Sequence, residues 1–207
     1  MTRVFAILAG LILATGLAIT GYFIWFASPE DKFADCRDTK VAGGQGALGG
    51  PFTLVDETGA TVTDQDVFTK PTLLYFGYTF CPDVCPLDSA RNADAVALLR
   101  EQGYDAQTAF ISIDPKRDTV DEVAAYTDLF DDEMIGLTGT PEQVAVASRA
   151  YRTYYNARDE EDDEFYLVDH STFTYFVLPQ IGYQTFFRRD HTPDQIAEIT
   201  ACFIDKS

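Results

Sequence analysis

After residue 50, short apolar runs alternate with segments of helical periodicity, and this alternation predicts an α/β fold. Residues 73–78 and 107–114 are apolar runs of strand length, each suited to a buried central strand. Residues 86–102 lie between them and have the pattern of a helix, with Gly103 ending it. We expect the side chains of this helix that face the core to be Leu87, Ala90, Ala93, Ala97 and Leu98.

Three further helices are predicted from a shared capping pattern. Thr119, Thr140 and Thr192 are each followed three positions later by Glu or Gln, and a proline follows the second and third of these threonines directly. A threonine cap with an acid or amide at the third helical position is typical of a helix start. The last of these helices is expected over residues 193–204.

The remaining strands are predicted as hairpins and one short strand. Residues 52–62 resemble a hairpin with its turn at 57–60, and residues 134–137 a short strand. Two later hairpins are expected: residues 151–156 with 164–168, which flank an acidic run at 159–164, and residues 171–178 with 183–188. The order of these elements predicts a thioredoxin-like layout with added N-terminal and internal β-hairpins, as one domain over residues 51–207.

The first 27 residues differ from the rest and predict a transmembrane anchor. The uncharged run from Val4 to Ala27 follows Arg3, and at 1.5 Å per residue a helix of this length crosses a hydrocarbon core of about 30 Å. The alternative is a cleaved signal peptide, which has a shorter apolar region. The basic flank places the N-terminus in the cytoplasm and the rest outside, which in a bacterium means a single-pass inner-membrane protein with a periplasmic domain. Residues 28–50, rich in glycine toward their end, are expected to form a flexible tether.

The charge of the chain excludes one class of partner. The 207 residues carry a formal net charge of −18, with 33 acidic against 15 basic side chains. Such a surface repels phosphates, so we expect no nucleic acid to bind. The acidic surface serves solubility or a basic partner protein.

A pair of cysteines, Cys81 and Cys85, is the main candidate for chemistry. They follow the first central strand, and Pro86 suits the first position of the next helix. The positive end of a helix favours thiolates and lowers their pKa. Two such sulfurs are suited to redox chemistry or to a soft metal, and a structural disulfide between them is the plainer alternative.

His170 makes the metal interpretation more specific. Thioredoxin-like enzymes place a proline opposite their cysteines, just before a later strand, and here Asp169 and His170 occupy that position. Two thiolates and an imidazole form a three-coordinate set suited to Cu(I), Cu(II) or zinc.

Three motifs together resemble the SCO/SenC family: CPDVCP at 81–86, SIDPKRDT at 112–119 and VDHS at 168–171. These are membrane-anchored, thioredoxin-fold copper proteins that assist assembly of the CuA centre of cytochrome c oxidase. The resemblance covers roughly residues 48–204, although the turn at 178–182 departs from the usual pattern of the family.

The resemblance implies that Cys81, Cys85 and His170 bind copper, as Cu(I) or Cu(II). It also implies that the partners are the CuA-bearing subunit and other periplasmic copper chaperones. The same dithiol allows an alternative function, a thiol–disulfide reductase that keeps the cysteines of that subunit reduced. A redox dithiol has no need of a facing imidazole, so His170 favours metal.

The remaining candidates are assigned by their surroundings in the sequence. Cys36 and Cys202 are expected to form a structural disulfide, because unassigned cysteines in an oxidising compartment tend to pair. Asp169 is a candidate to orient the metal histidine. Asp114, Arg117 and Asp118 fit a strand-to-helix turn, with orientation of the metal loop as the alternative. His191, which precedes the Thr192 cap, is expected at the surface.

Overall fold

The computed structural model of the protein describes residues 2–26, 31–37, 48–158 and 166–207. The chain forms two compact units, Met1–Ala34 and Asp35–Ser207. The first contains helix α1 (Thr2–Phe26). Within it, the stretch Arg3–Tyr22 is long and apolar enough to cross a membrane, with a mean hydropathy of 2.2 and none of it buried against protein. A membrane anchor and a signal sequence share these properties.

The second unit is organised on a seven-stranded sheet. Its strands are β1 (Thr53–Asp56), β2 (Thr61–Thr63), β3 (Thr72–Gly77), β4 (Gln107–Ser112), β5 (Ile135–Thr138), β8 (Thr174–Leu178) and β9 (Gly182–Phe187), while β6 (Tyr155–Ala157) and β7 (Val168–His170) pair separately. The order across the sheet is β2-β1-β5-β4-β3-β8-β9. The predicted α/β class and the pairing in all three predicted hairpins are confirmed, since β1 pairs with β2, β6 with β7 and β8 with β9. The predicted bounds of the second hairpin are wrong, because residues 155–157 pair with 168–170 and not 151–156 with 164–168.

The central strands bring three chain segments to one edge of the sheet. Strands β3 and β4 are parallel and every residue in them is buried, in keeping with their continuous apolar sequences. Their carboxyl ends therefore reach the same edge. Strand β8 is antiparallel to β3, with Tyr75 opposite Thr174, so β8 begins at that edge. In open α/β sheets, ligands bind at the carboxyl ends of the strands.

Over the described residues, five α-helices accompany the sheet: α2 (Asp64–Val67), α3 (Val84–Glu101), α4 (Val120–Thr127), α5 (Pro141–Ala150) and α6 (Pro193–Asp205). Helix α3 packs against α6, and α4 packs against β5. The three predicted caps are confirmed, because the side chains of Thr119, Thr140 and Thr192 each accept a hydrogen bond from the backbone N–H three residues later.

The predicted start of α3 at Pro86 is wrong by two residues. The helix begins at Val84, with Asp83 in the capping position, so Pro86 is its third residue. The first four N–H groups of a helix have no partner within it, and a proline there costs no hydrogen bond. Cys85 consequently lies in the first turn of the helix.

The predicted core face of α3 is also partly wrong. Leu87 is 59% exposed, and Ala97 is exposed too. The buried face instead includes Asp88, Ser89 and Asn92. Each of these polar side chains has a partner: Tyr75 donates to Asp88, the Ser89 and Tyr126 hydroxyls lie 3.1 Å apart, and Thr174 donates to Asn92 at 3.0 Å. Hydrogen bonding offsets the cost of burying them.

Residues 35–37 belong to the second unit although they fall within the predicted tether. Cys36 is bonded to Cys202, Arg37 donates to the carbonyl of Gln184 at 3.3 Å, and Lys206 lies 3.2 Å from Asp35. Residues 28–30 and 38–47 of the predicted tether lie outside the described residues. The predicted acidic loop at 159–164 lies outside them as well. The domain boundary at residue 51 stays a prediction.

Candidate metal centre

The loop between β3 and α3 holds both cysteines at the edge where the parallel strands end. The Cys81 N–H donates to the carbonyl of Tyr78 at 3.3 Å, which turns the chain directly after the strand. The Cys85 N–H, in the first turn of α3, donates to the Cys81 sulfur at 3.3 Å. The free N–H groups of a helix start stabilise a thiolate in this position. Cys81 is 8% exposed, and Cys85 is fully buried.

His170 ends strand β7, opposite Tyr155 in β6, and its ring faces the cysteines. The Nε2 atom lies 3.3 Å from the Cys85 sulfur. The Nδ1 atom lies 2.8 Å from the carbonyl oxygen of Ser171. A carbonyl oxygen only accepts hydrogen bonds, so Nδ1 carries the proton and Nε2 keeps its lone pair. This tautomer leaves Nε2 available to a metal.

Together, Cys81, Cys85 and His170 form a compact donor set. Their two sulfurs and one ring nitrogen all lie within 4.8 Å of one another. Among the residues that the structure describes, no other three His, Cys, Asp or Glu side chains are grouped in this way. The rings of Tyr75 and Tyr78 meet the imidazole edge to face, at centroid distances of 6.2 and 5.8 Å, and confine its orientation.

The two thiols differ in their tendency to ionise. The pKa of Cys81 lies far below the usual range of a cysteine, first because the Cys85 thiol donates a hydrogen bond to its sulfur. Burial acts in the opposite direction, and the backbone N–H groups of Asp83 and Cys85 lower the pKa further. The pKa of Cys85 is raised because its proton is held by the Cys81 sulfur and because the side chain is buried. The pair therefore loses a first proton readily and keeps the second.

A buried pair that sequence reasoning missed lies beneath Cys85. The Tyr75 hydroxyl contacts the Cys85 sulfur and donates a hydrogen bond to Asp88 at 3.0 Å. Asp88 is 3% exposed, and its charge is balanced by Arg91 at 3.2 Å and Arg189 at 3.4 Å. The only signal in the sequence is a carboxylate three residues after a cysteine, which equally fits an exposed helix position.

The turn after β4 also reaches the site. Asp114 accepts hydrogen bonds from Arg117 and Tyr166, each at 2.6 Å, and the guanidinium of Arg117 stacks on the Tyr166 ring at 3.7 Å. Asp118 is fully buried and accepts from both the N–H and the hydroxyl of Thr79, two residues before Cys81. These contacts include the cysteine loop, so they go beyond a simple strand-to-helix turn.

The other sequence candidates lie apart from the donor set. Asp169 accepts two hydrogen bonds from Arg158, at 2.8 and 2.6 Å, while the His170 ring is bonded to Ser171 instead. Direct orientation of the imidazole by Asp169 is therefore not seen. His191 lies beside Arg188 and Asp190, outside the group formed by Cys81, Cys85 and His170.

Comparison with known proteins identifies close relatives. The chain matches the family model described as SCO1/SenC over residues 40–205. It is 49% identical to Protein SenC of Rhodobacter capsulatus over 205 residues, which covers 99% of this chain and 90% of that protein. It is 37% identical to the mitochondrial Protein SCO1 homolog 1 of Arabidopsis thaliana, covering 91% of this chain but only 58% of that longer protein.

Solved structures agree with the fold. The crystal structure of Arabidopsis thaliana ScoI with copper bound has a TM-score of 0.72 and 40% identity, covering 77% of this chain and 99% of that one. The structure of Bradyrhizobium japonicum ScoI with copper bound has a TM-score of 0.67 and 34% identity, covering 75% and 98%. The similarity confirms the predicted thioredoxin-like fold.

Proposed function

Because the chain belongs to the SCO1/SenC family, we propose that it is a membrane-anchored copper metallochaperone. In this proposal it binds one copper ion through Cys81, Cys85 and His170 and delivers it to the CuA site of cytochrome c oxidase. The observation that carries the proposal is the convergence of two sulfurs and an Nε2 lone pair within 4.8 Å. Copper-bound structures of two relatives support the choice of metal.

The donor set fits copper on chemical grounds. Cysteine sulfur is a soft ligand that favours Cu(I), and imidazole suits copper in either oxidation state. In a trigonal site, bonds of about 2.0–2.3 Å place the ligand atoms roughly 3.5–4 Å apart. The observed separations lie near this range, so binding needs only small movements of the three side chains.

The protonation states of the Cys81 and Cys85 sulfurs suit a site that binds copper and releases it again. Metal binding requires deprotonated ligands. One thiolate is already favoured at Cys81, so copper has to displace only the proton held at Cys85. Cys81 is 8% exposed and His170 is half-buried, so these are the two ligands that a recipient protein would reach first. Oxidation of the two thiols to a disulfide would remove two of the three ligands and block loading.

The proposal includes a location. Helix α1 serves as an uncleaved anchor in the bacterial inner membrane, with the N-terminus cytoplasmic and the metal site in the periplasm. There the site meets the CuA-bearing subunit and other periplasmic copper chaperones. Fractionation tests this: the intact chain is expected in the membrane, cut by external protease only when the outer membrane is opened. Release of a shortened soluble chain would instead indicate a cleaved signal.

Copper binding is tested with the full chain in detergent. The reduced protein is titrated with Cu(II) and followed by its sulfur-to-copper charge-transfer absorption. His170→Ala is expected to shift this absorption and weaken binding, whereas His191→Ala, the matched variant at the only other histidine, leaves both unchanged. Cys81→Ser and Cys85→Ser each abolish the band. Absence of bound copper in the parent protein would reject the proposal.

A second candidate function rests on the asymmetry of the thiols. A thiolate at Cys81, which is 8% exposed, beside a fully buried, protonated Cys85 is the arrangement of a dithiol reductant. Cys81 would attack a partner disulfide and release one partner thiolate. Cys85 would give up its proton and attack the Cys81 sulfur, so that the second partner thiol leaves and two electrons pass to the partner.

Replacement of His170 distinguishes the copper chaperone from the thiol–disulfide reductase. Copper transfer to the apo CuA-bearing subunit requires the imidazole, whereas reduction of an oxidised subunit does not. Under the chaperone proposal, His170→Ala abolishes transfer of copper and leaves the rate of disulfide reduction unchanged. If this variant still assembles CuA as fast as the parent does, the reductase is the better description.

A further inference from the structure

The carboxylate of Asp118 is buried, and in the described part of the chain none of its hydrogen-bond donors is a cation. All four atoms that donate to this residue are neutral: Ser112 Oγ at 2.6 Å, the Thr79 N–H at 3.0 Å and Thr79 Oγ1 at 2.7 Å bond to its carboxylate, and Thr138 Oγ1 at 2.8 Å bonds to its backbone carbonyl. The residue is 0% exposed. Burying a charged group that lacks an ion partner is costly, so its hydrogen bonds must be well formed.

These contacts connect the sheet to the cysteine loop. Ser112 ends the central strand β4, and Thr138 ends the neighbouring strand β5. Thr79 begins the loop that carries Cys81 two residues later. The carboxylate of Asp118 binds both the N–H and the hydroxyl of Thr79 at the start of the loop. Its bonds to Ser112 and Thr138 hold it to the ends of β4 and β5, so Asp118 ties the start of the loop to two strands of the core.

We propose that Asp118 is a positioning residue for the metal centre, acting through Thr79 to set where the Cys81 sulfur lies relative to Cys85 and His170. The inference rests on the proposed copper function. Partners that orient the ligands of a metal site typically change its affinity by roughly 10–100-fold when removed. Asp118 touches no ligand atom, and its effect passes through the backbone of the loop.

The other residues around the loop have different tasks. Asp114 is bonded to Arg117 and Tyr166, and Asp88 to Tyr75, so neither holds the backbone of the segment before Cys81. Within this loop entrance the Cys81 N–H donates to the carbonyl of Tyr78, and the guanidinium of Arg117 lies over the rings of Tyr78 and Phe80. Arg117 contacts the side chains of this segment, whereas Asp118 is hydrogen-bonded to its backbone as well, at the N–H of Thr79.

Four single variants of the full chain in detergent test the proposal. Thr79→Val keeps the shape of the side chain and removes its donor, and Thr79→Ser keeps the donor and removes a methyl group. Asp118→Asn removes the charge. Thr127→Val, in helix α4, makes the same kind of change at a buried threonine that bonds to Glu57 and to the Val123 carbonyl and not to Asp118 or the cysteine loop, so it controls for a general loss of stability.

Thr79→Val and Asp118→Asn are expected to weaken copper binding by roughly tenfold or more and to shift the sulfur-to-copper absorption. Thr79→Ser retains the affinity and spectrum of the parent. Thr127→Val lowers the melting temperature and leaves the spectrum unchanged. Parental affinity and spectrum in Thr79→Val would overturn the proposal, and this variant decides the matter if Asp118→Asn does not fold.

A second measurement separates this proposal from the proposed function. The equilibrium between the Cys81–Cys85 dithiol and its disulfide is measured in glutathione buffers without metal. If the position of Cys81 depends on Thr79, then Thr79→Val shifts this equilibrium and Thr79→Ser does not. A parent that binds no copper would reject the metallochaperone, while an unshifted equilibrium in Thr79→Val would reject the positioning role.

Discussion

The Nε2 atom of His170 lies 3.3 Å from the sulfur of Cys85, although 85 residues separate them in the chain. The contact depends on two independent parts of the fold. Cys85 is placed by strand β3 and the first turn of α3, and His170 by the pairing of β7 with β6. The bond from Nδ1 to Ser171 then directs the lone pair of the ring toward the sulfurs. A redox dithiol alone explains neither the ring nor its tautomer.

The first prediction concerns the reactivity of the two thiols with pH. The lowered pKa of Cys81 means that its thiolate persists as the pH falls well below the ordinary cysteine pKa of about 8.5. Alkylation of Cys81 by iodoacetamide should therefore stay fast in mild acid, while Cys85, with a raised pKa and no exposure, stays unlabelled.

Peptide mapping by mass spectrometry after short labelling measures both sites. Cys85→Ala is the matched variant: without the Cys85 thiol as donor, the pKa of Cys81 rises and its labelling in acid slows. Labelling of Cys85 before Cys81, or a Cys81 rate that falls tenfold for each pH unit below 8.5, as about 8.5 is the unperturbed pKa, would contradict the prediction.

The sequence predicted the elements of the site better than the packing around it. The central strands, the helix caps and the cysteine loop follow from apolar runs and cap residues, which are local signals. The buried face of α3 does not, because Asp88 and Asn92 lie inside and Leu87 lies outside. Periodicity measures apolarity and cannot register a polar residue whose partner is a distant tyrosine or threonine.

The same limit applies to the residues that support the metal loop. Thr79 and Asp118 are 39 residues apart, and nothing in either segment indicates that they meet. His170 was identified because it stands where related folds have another residue and because its motif resembles that of a family. The position of Asp169 next to His170 suggested that it orients the imidazole, but its carboxylate accepts hydrogen bonds from Arg158.

The second prediction concerns the buried charge at Asp88. Replacing it by Ala leaves the guanidinium of Arg91, whose side chain is only 10% exposed, without its nearest carboxylate. Breaking a buried ion pair by removing one partner typically costs about 3–5 kcal/mol. We expect Asp88→Ala to lower the free energy of unfolding by that order in urea titrations. Asp94→Ala, at an exposed position of the same helix, should change it little. Equal free energies of unfolding for the two variants would contradict the prediction that Asp88 stabilises the fold by balancing Arg91.

The third prediction concerns Gly77, the last residue of β3. A Cβ atom there would lie 2.9 Å from ring atoms of both Phe110 and Tyr75 and 3.1 Å from the Cys85 sulfur. Overpacking of a core costs about 1–3 kcal/mol, so Gly77→Ala should be less stable by this amount. Displacement of the sulfur should also alter the copper absorption. Gly50→Ala is the control, since its nearest neighbour would be the Ala150 Cβ at 3.4 Å. A Gly77→Ala protein with parental stability and spectrum would show that the site tolerates the extra methyl group.

The last prediction concerns the disulfide between Cys36 and Cys202. These residues are 166 positions apart, and closing a loop of that length stabilises the folded state by roughly 5 kcal/mol in the chain-entropy model. The double variant Cys36→Ser/Cys202→Ser is therefore expected to unfold at a clearly lower urea concentration than the parent, while its copper absorption is unchanged because Cys81, Cys85 and His170 are intact. The parent is unfolded and alkylated without reductant, and its labelled cysteines are then found by peptide mapping. Labels are expected on Cys81 and Cys85 and not on Cys36 or Cys202. Labels on Cys36 and Cys202, or equal stability of the double variant, would contradict the bond.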